Sequence, residues 1–283
     1  MPDMASDDFS AMLEKITALP VSTLDIIGGE PTLHPHIVGF VREAVQRGLN
    51  VNISSNGTNT AVLEELYRAG NSVTIGISIN DRESLEHSAE FIQKHKVVVK
   101  SIYHPTMDDA LIREIFSLRP KAFYVIYRDA LARNALHATI PFYQFVSAVD
   151  EWLHPQAGMV YCSGFLPDRA QYPELEQVRC PAGTTKLGIM PDGSVYPCNF
   201  FFGRPEFRLG NILMDPFERI WNDARLGFFR TFSQSTCRRE TCSLYNTCHG
   251  GCPAHSLIHG DDLSAPDPRC AVPPSPTAIP QKF

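Results

Sequence analysis

Eight cysteines stand at positions 162, 180, 198, 237, 242, 248, 252 and 270, and residues 1–161 contain none. Disulfide frameworks belong to short secreted chains, whereas a local cysteine cluster in a chain of this length points to metal binding. The spacing reads Cys180-x12-Gly-x4-Cys198, a gap, Cys237-x4-Cys242-x5-Cys248-x3-Cys252, a second gap and Cys270. Four cysteines within 16 residues pair poorly among themselves. They can wrap a compact inorganic core, because thiolates converge on it from a short, turn-rich loop. Gly250 and Gly251 supply the backbone freedom for that wrap. Zinc also takes four thiolates, so a zinc ribbon or knuckle is the alternative. Seven or eight ligands at uneven spacing suit two clusters better than two fingers with tight Cys-x2-Cys pairs. A second candidate is Gly28-Gly29-Glu30-Pro31, where glycines let a ligand touch backbone and a carboxylate can meet an amine. Ser54–Thr58, including Asn56, and then Ser78 and Asn80 follow the next two apolar runs. Ordinary turn chemistry accounts equally well for the last pair.

The elements that must position these residues alternate along the first half. Strand-like runs at Thr23–Ile27, Asn50–Ser54, Val73–Ile79, Val97–Tyr103 and Ala122–Tyr127 are separated by helical patterns. The helices are expected at His36–Arg47, Thr60–Arg68, Arg82–Lys94 and Asp108–Leu118. Strands alternating with helices imply βαβ units and a parallel sheet, with functional loops at the C-terminal strand ends. Near Val160 the pattern changes. From Pro181 the chain is loop-rich, with a hairpin signal at Asp192–Gly193 and a short helix expected around Pro216–Leu226. The resulting division is 1–160, a cysteine-rich 161–272, and a Pro-rich tail 273–283 expected to be flexible.

At 283 residues, 43% hydrophobic and 20% charged, the chain can bury a substantial core. A net charge of -6 with scattered Lys and Arg gives no basic footprint for nucleic acid. No apolar run approaches the roughly 18–20 residues of a membrane span, and the N-terminus is acidic rather than signal-like. A cytoplasmic protein without nucleic-acid or membrane partners is expected.

These residues carry a resemblance. Cys180–Cys270, with Leu209–Ile212 (LGNI) and Phe217–Trp221 (FERIW), is similar to the SPASM domain, the auxiliary-cluster module of radical-SAM enzymes that mature peptides and sulfatases. The family has two residues between its third and fourth cysteines, whereas Cys237 and Cys242 enclose four. Gly28-Gly29-Glu30-Pro31 resembles the loop whose backbone and Glu meet the methionyl amino group of S-adenosylmethionine. Asn56 and Ser78 fall where the family approaches the same ligand. The resemblance spans roughly residues 10–270. It implies an α/β fold: a partial (β/α) barrel of the radical-SAM type followed by the cysteine-rich domain. It also implies two [4Fe-4S] auxiliary clusters. Cys180, Cys198 and Cys252 would hold the first, with Cys162 as fourth ligand or as a buried thiol, and Cys237, Cys242, Cys248 and Cys270 the second.

The family's first strand and its Cys-x3-Cys-x2-Cys loop, which binds the radical-generating cluster, have no counterpart in these residues. Met1–Ile16 is similar to the segment that follows that loop. Three readings compete. One is an accessory cluster protein, a scaffold or electron relay in a peptide-modification system. Its partners would be a peptide substrate, a complete radical-SAM enzyme or a small peptide-binding protein. The second is a radical-SAM peptide-maturation enzyme whose cluster-binding segment lies outside this sequence. The third is a structural zinc protein. Without the iron chelate the loop keeps only hydrogen bonds to S-adenosylmethionine, so affinity no tighter than about millimolar is expected.

Overall fold

A computed structural model describes residues 3–152, 157–160, 178–231, 236–237, 242 and 245–270. Two compact units share the chain: residues 1–126 with 154–158, and residues 127–153 with 159–283.

The first unit is built on βα repeats. Helix α1 (Ser6–Thr17) precedes β1 (Thr23–Ile26), α2 (Ile37–Gln46), β2 (Asn50–Ser55), α3 (Thr60–Tyr67), β3 (Val73–Ser78), α4 (Arg82–His95), β4 (Val98–Ile102), α5 (Asp109–Ser117) and β5 (Ala122–Ile126). The strands lie in the sheet in chain order, parallel in register from β1 to β5, with β6 (Ala157–Val160) sixth. Each expected strand and helix of this half forms within two residues of its sequence boundary. The caps explain the helix starts. Asp81 and Ser84 close a reciprocal capping box on α4, while Asn59 and Asp108 accept from the first-turn amides of α3 and α5. Helix α1 had no such signal, since Ala5 precedes it without a side-chain cap.

Burial alternates along the strands. In β2, Val51, Ile53 and Ser55 are buried while Asn50 and Asn52 are exposed, and β4 and β5 show the same period of two. One sheet face therefore packs against helices such as α2 and α3 through residues like Val41, Ala44, Leu63 and Leu66. Burial of each valine or leucine among them contributes about 1.5–3 kcal/mol. The opposite face carries Asp25, Asn52, Ser54, Ser78, Lys100 and Tyr124, which register and parity bring to one side. Strands β1 and β6 are the sheet's edges, and the six strands do not close on each other.

The second unit contains α6 (Phe142–Trp152), a three-stranded sheet of β7 (Gly188–Ile189), β8 (Ser194–Tyr196) and β9 (Gly210–Asn211), and helices α7 (Phe217–Trp221), α8 (Leu226–Phe229), α9 (Tyr245–Cys248) and α10 (Pro253–Gly260). The Asp192–Gly193 hairpin forms as expected, with β7 and β8 antiparallel and Gly193 at φ +80°. The helix expected over Pro216–Leu226 is instead two short ones. Between them the Asp223 carboxylate accepts from the Arg225 backbone N–H at 2.9 Å and pairs with its guanidinium at 2.6 Å, a local turn that competes with helix. The unit's core is aromatic. Tyr127 packs on Phe142 and Phe145, and Phe201 on Phe207 and Phe229.

Candidate functional site

In the first unit the Glu30 loop emerges from β1 at the C-terminal ends of the parallel strands. Glu30 does not stand alone: its carboxylate accepts from Thr32 N–H at 3.0 Å, Thr32 Oγ1 at 2.7 Å, Ser55 Oγ at 2.8 Å and Asn56 N–H at 2.6 Å. It therefore stitches its own loop to the loop after β2. Burial alone would raise its pKa, but the Asn56, Thr32 and Ser55 hydrogen bonds outweigh burial and hold it below the ordinary 4.5. Pro31 is buried and opens a short 3-10 turn that Glu30 caps. Asn56 turns inward on its own loop, accepting from Thr58 N–H at 3.0 Å and Thr58 Oγ1 at 2.8 Å. Gly28 and Gly29 have open space where a Cβ would stand. Among the described residues no neighbour demands glycine at either position.

Sequence reasoning missed the charged centre of the open sheet face. Lys100 lies beside Ser78 in register, and its side chain runs back over Gly76 so that Nζ donates to Ser54 Oγ at 2.5 Å. A Cβ on Gly76 would stand 2.7 Å from Lys100 Cε, so the glycine makes room for the lysine. Burial lowers the Lys100 pKa, with Asp25 opposing that shift. Asp25 in turn accepts from Asn52 Nδ2 at 2.7 Å. The signal was in the strands: parallel strands covered on both faces read as continuous apolar runs, whereas NVNISS and VVKSI alternate.

In the second unit, Cys180, Cys198, Cys237, Cys248 and Cys252 are buried and Cys242 and Cys270 partly so. Cys162 lies outside the described residues. Arg179 is fully buried, its Nη2 donating to Gly250 O at 3.1 Å and Ala265 O at 3.2 Å. Burial lowers its pKa, and Cys180, Cys248, Cys252 and Cys237 all act on it in the opposite sense. One cation thus sits within electrostatic reach of four thiols. Burial, joined by Cys270, pushes the Cys248 thiol well up. A thiol in that position needs a positive partner to ionise, which is what a metal cluster provides. Among the described residues no three His, Cys, Asp or Glu side chains converge tightly enough for one metal ion. A four-iron cube spreads its thiolates over separate irons and needs no such convergence.

Around these cysteines runs a buried polar network absent from any sequence expectation. Asp267 and Arg269 have fully buried side chains paired at 2.8 Å, and Arg269 Nη1 reaches Asp129 at 3.0 Å. Burial pushes Asp267 up, but Arg269 outweighs it and keeps the carboxylate ionised. Asp267 Oδ2 accepts from Cys252 N–H at 3.1 Å, so the pair fixes the backbone of a candidate ligand. Gly251, at φ +82°, allows the close approach, since a Cβ there would stand 2.4 Å from Asp267 Cβ.

Residues 180–253 match the family model for an iron-sulfur cluster-binding domain, SPASM. The chain is related to the radical-SAM peptide maturases that carry this domain. It is 28% identical to the mycofactocin maturase MftC of Mycobacterium ulcerans, over 92% of this chain and 77% of that protein. It is 23% identical to the PqqA peptide cyclase of Methylobacterium nodulans, over 93% and 76%. Its fold is that of Streptococcus suis SuiB in complex with the precursor peptide SuiA, with a TM-score of 0.74 at 18% identity over 94% of this chain and 69% of that one. The architecture is therefore the expected one, a partial α/β barrel of the radical-SAM type with a SPASM domain. No helix among the described residues is long and apolar enough to cross a membrane.

Proposed function

We propose that this chain is an iron–sulfur protein of a cytoplasmic peptide-modification system, holding two [4Fe-4S] auxiliary clusters and serving as an electron relay or scaffold. The observation that carries this reading is the buried thiol set gathered around Arg179 within a matched cluster-binding domain. Cys180, Cys198 and Cys252, with Cys162, would hold one cluster, and Cys237, Cys242, Cys248 and Cys270 the other. Such clusters pass single electrons, and the thiolate framework, the Arg179 charge and the Asp267–Arg269 pair would fix their position. The division that goes with this reading is 1–160 for the sheet-bearing part, 161–272 for the cluster part and 273–283 for the tail. A peptide substrate, a complete radical-SAM enzyme or a small peptide-binding protein is the partner expected, by analogy with relatives named for peptide maturation.

A second reading is favoured by one specific observation. The Gly28–Pro31 loop and Asn56 lie at the C-terminal end of the sheet, next to the polar face that carries Ser78 and Lys100. If cluster thiolates were supplied from outside these 283 residues, S-adenosylmethionine bound there would make the chain part of a catalytic radical-SAM maturase. Protein prepared without oxygen is expected to carry about eight irons and eight acid-labile sulfides per chain. Stoichiometric zinc with no labile sulfide would overturn the cluster reading. Formation of 5′-deoxyadenosine by the purified chain under strong reductant would replace the accessory reading with the catalytic one.

A further inference from the structure

His255 is a fully buried histidine of the second unit. Cys252 is the N-cap of α10 and His255 its third residue, so one helical turn separates them. From the other side, the Phe200 ring, two residues beyond Cys198, stands edge-on to the imidazole with centroids 5.6 Å apart. The imidazole is thus bracketed by the two segments that bear Cys198 and Cys252. Its Nε2 accepts a hydrogen bond from Ala130 N–H at 2.9 Å. That nitrogen presents its lone pair, so the proton of the neutral ring is on Nδ1. Nδ1–H is therefore a donor, fully buried and without an acceptor among the described residues. A buried donor left unmatched costs its full desolvation. The segments on either side of the ring bear Cys198 and Cys252, two of the thiols assigned above to one cluster, and the sulfur of such a cluster is an acceptor of the kind this donor lacks.

We propose that His255 Nδ1–H donates a hydrogen bond to a sulfur of the cluster held by Cys180, Cys198 and Cys252, and thereby raises that cluster's reduction potential. The inference rests on the cluster reading above. When the cluster takes one electron from a low-potential one-electron donor, negative charge builds on its sulfurs, and a fixed N–H dipole favours the reduced form. Ala130 anchors the far side of the ring, so the donor is preorganised rather than recruited.

The test uses the full chain, reconstituted without oxygen, in a dithionite titration followed by EPR. His255→Phe removes the donor. His255→Gln retains an amide donor and a carbonyl. In His255→Phe one cluster is expected to become at least tenfold harder to reduce, about 59 mV for a one-electron couple, while the other keeps its potential. His255→Gln should fall between that and the wild type. In the wild type, pulsed EPR should detect a weak nitrogen coupling on the shifted cluster. Unchanged potentials in both variants at wild-type iron and sulfide content would overturn the proposal. So would a coupling strong enough for direct iron–nitrogen ligation. If His255→Phe fails to fold, absence of the wild-type coupling overturns it by itself. A wild-type chain that takes up no iron would refute the cluster reading, and this inference with it.

Discussion

Glu30 shows how a single side chain can be both a candidate ligand and a structural clasp. Its four accepted hydrogen bonds hold two loops together, and removing the charge leaves Thr32, Ser55 and Asn56 donors less well matched. A carboxyl held below its unfolded value stabilises the fold fully above about pH 4.5 and loses that contribution as pH falls through the folded value. Glu30→Gln should therefore flatten the acid limb of a stability-versus-pH curve below about pH 4.5, with little change in its slope near neutrality. A variant whose acid limb matches the wild type would show that the clasp does not form in solution. Lys100 belongs to the opposite category. Its ammonium is desolvated and its visible partner is one serine hydroxyl, an arrangement that apolar replacement often improves. Lys100→Met is expected to hold or raise the thermal midpoint. A fall of more than about 1 kcal/mol in unfolding free energy would mean the lysine is there for stability. Arg179, by contrast, faces thiols from both proposed ligand sets. In Arg179→Met the added negative charge of a thiolate-bound cluster would lose its compensation, and iron per chain after anaerobic reconstitution should drop. Full wild-type loading would assign Arg179 to packing alone.

At the scale of elements, the β7–β8 hairpin ties Cys180 to Cys198. Its turn residue Gly193 is at φ +80°, and a Cβ there would sit 2.6 Å from Asn211 Oδ1, the same oxygen that accepts from Leu213 N–H. Gly193→Ala combines backbone strain of about 1–3 kcal/mol with disruption of β9. It should destabilise the second unit and impair cluster loading, while denaturant unfolding of the first unit keeps its midpoint. Strand β1 is the other exposed element. It pairs only with β2 among the described strands, and Ile27 just beyond it is half exposed. An edge of this kind recruits another strand or an apolar cover. Replacing Leu24 by Lys should reduce co-purification of any partner seated there. Undiminished capture would put the partner elsewhere.

For the whole molecule, the two units divide the chemistry. A polar sheet face with the Glu30 loop lies in one, and the cysteine domain in the other. If S-adenosylmethionine binds the Glu30 loop of this chain with no iron chelating its amino and carboxylate groups, it would keep hydrogen bonds worth roughly 0.5–1.5 kcal/mol each. Losing two or three such equivalents weakens binding by about one to three decades. Calorimetry on the purified chain is expected to give an affinity no tighter than about millimolar. Micromolar binding with no partner present would overturn that expectation and favour the catalytic reading.

Strands β1 to β5 and helices α2 to α5 were legible in the sequence because they are announced locally, by a β-branched run, an Asp or Asn cap, or a terminating glycine, whereas α1 has no such signal. The cysteine pattern was legible for a similar reason: thiolate spacing along a short loop constrains what the loop can enclose, and Cys180 to Cys252 lie within a matched cluster-binding domain. What the sequence hid is long-range. The reach of Lys100 over Gly76 to Ser54 depends on the register of three neighbouring strands. The Asp267–Arg269–Asp129 chain and the contact between His255 and Ala130 join residues more than 120 positions apart. Local composition marks such charged and imidazole side chains as surface groups by default. Only tertiary packing could bury them, because a buried charge or donor persists only where distant backbone and side chains supply its partners.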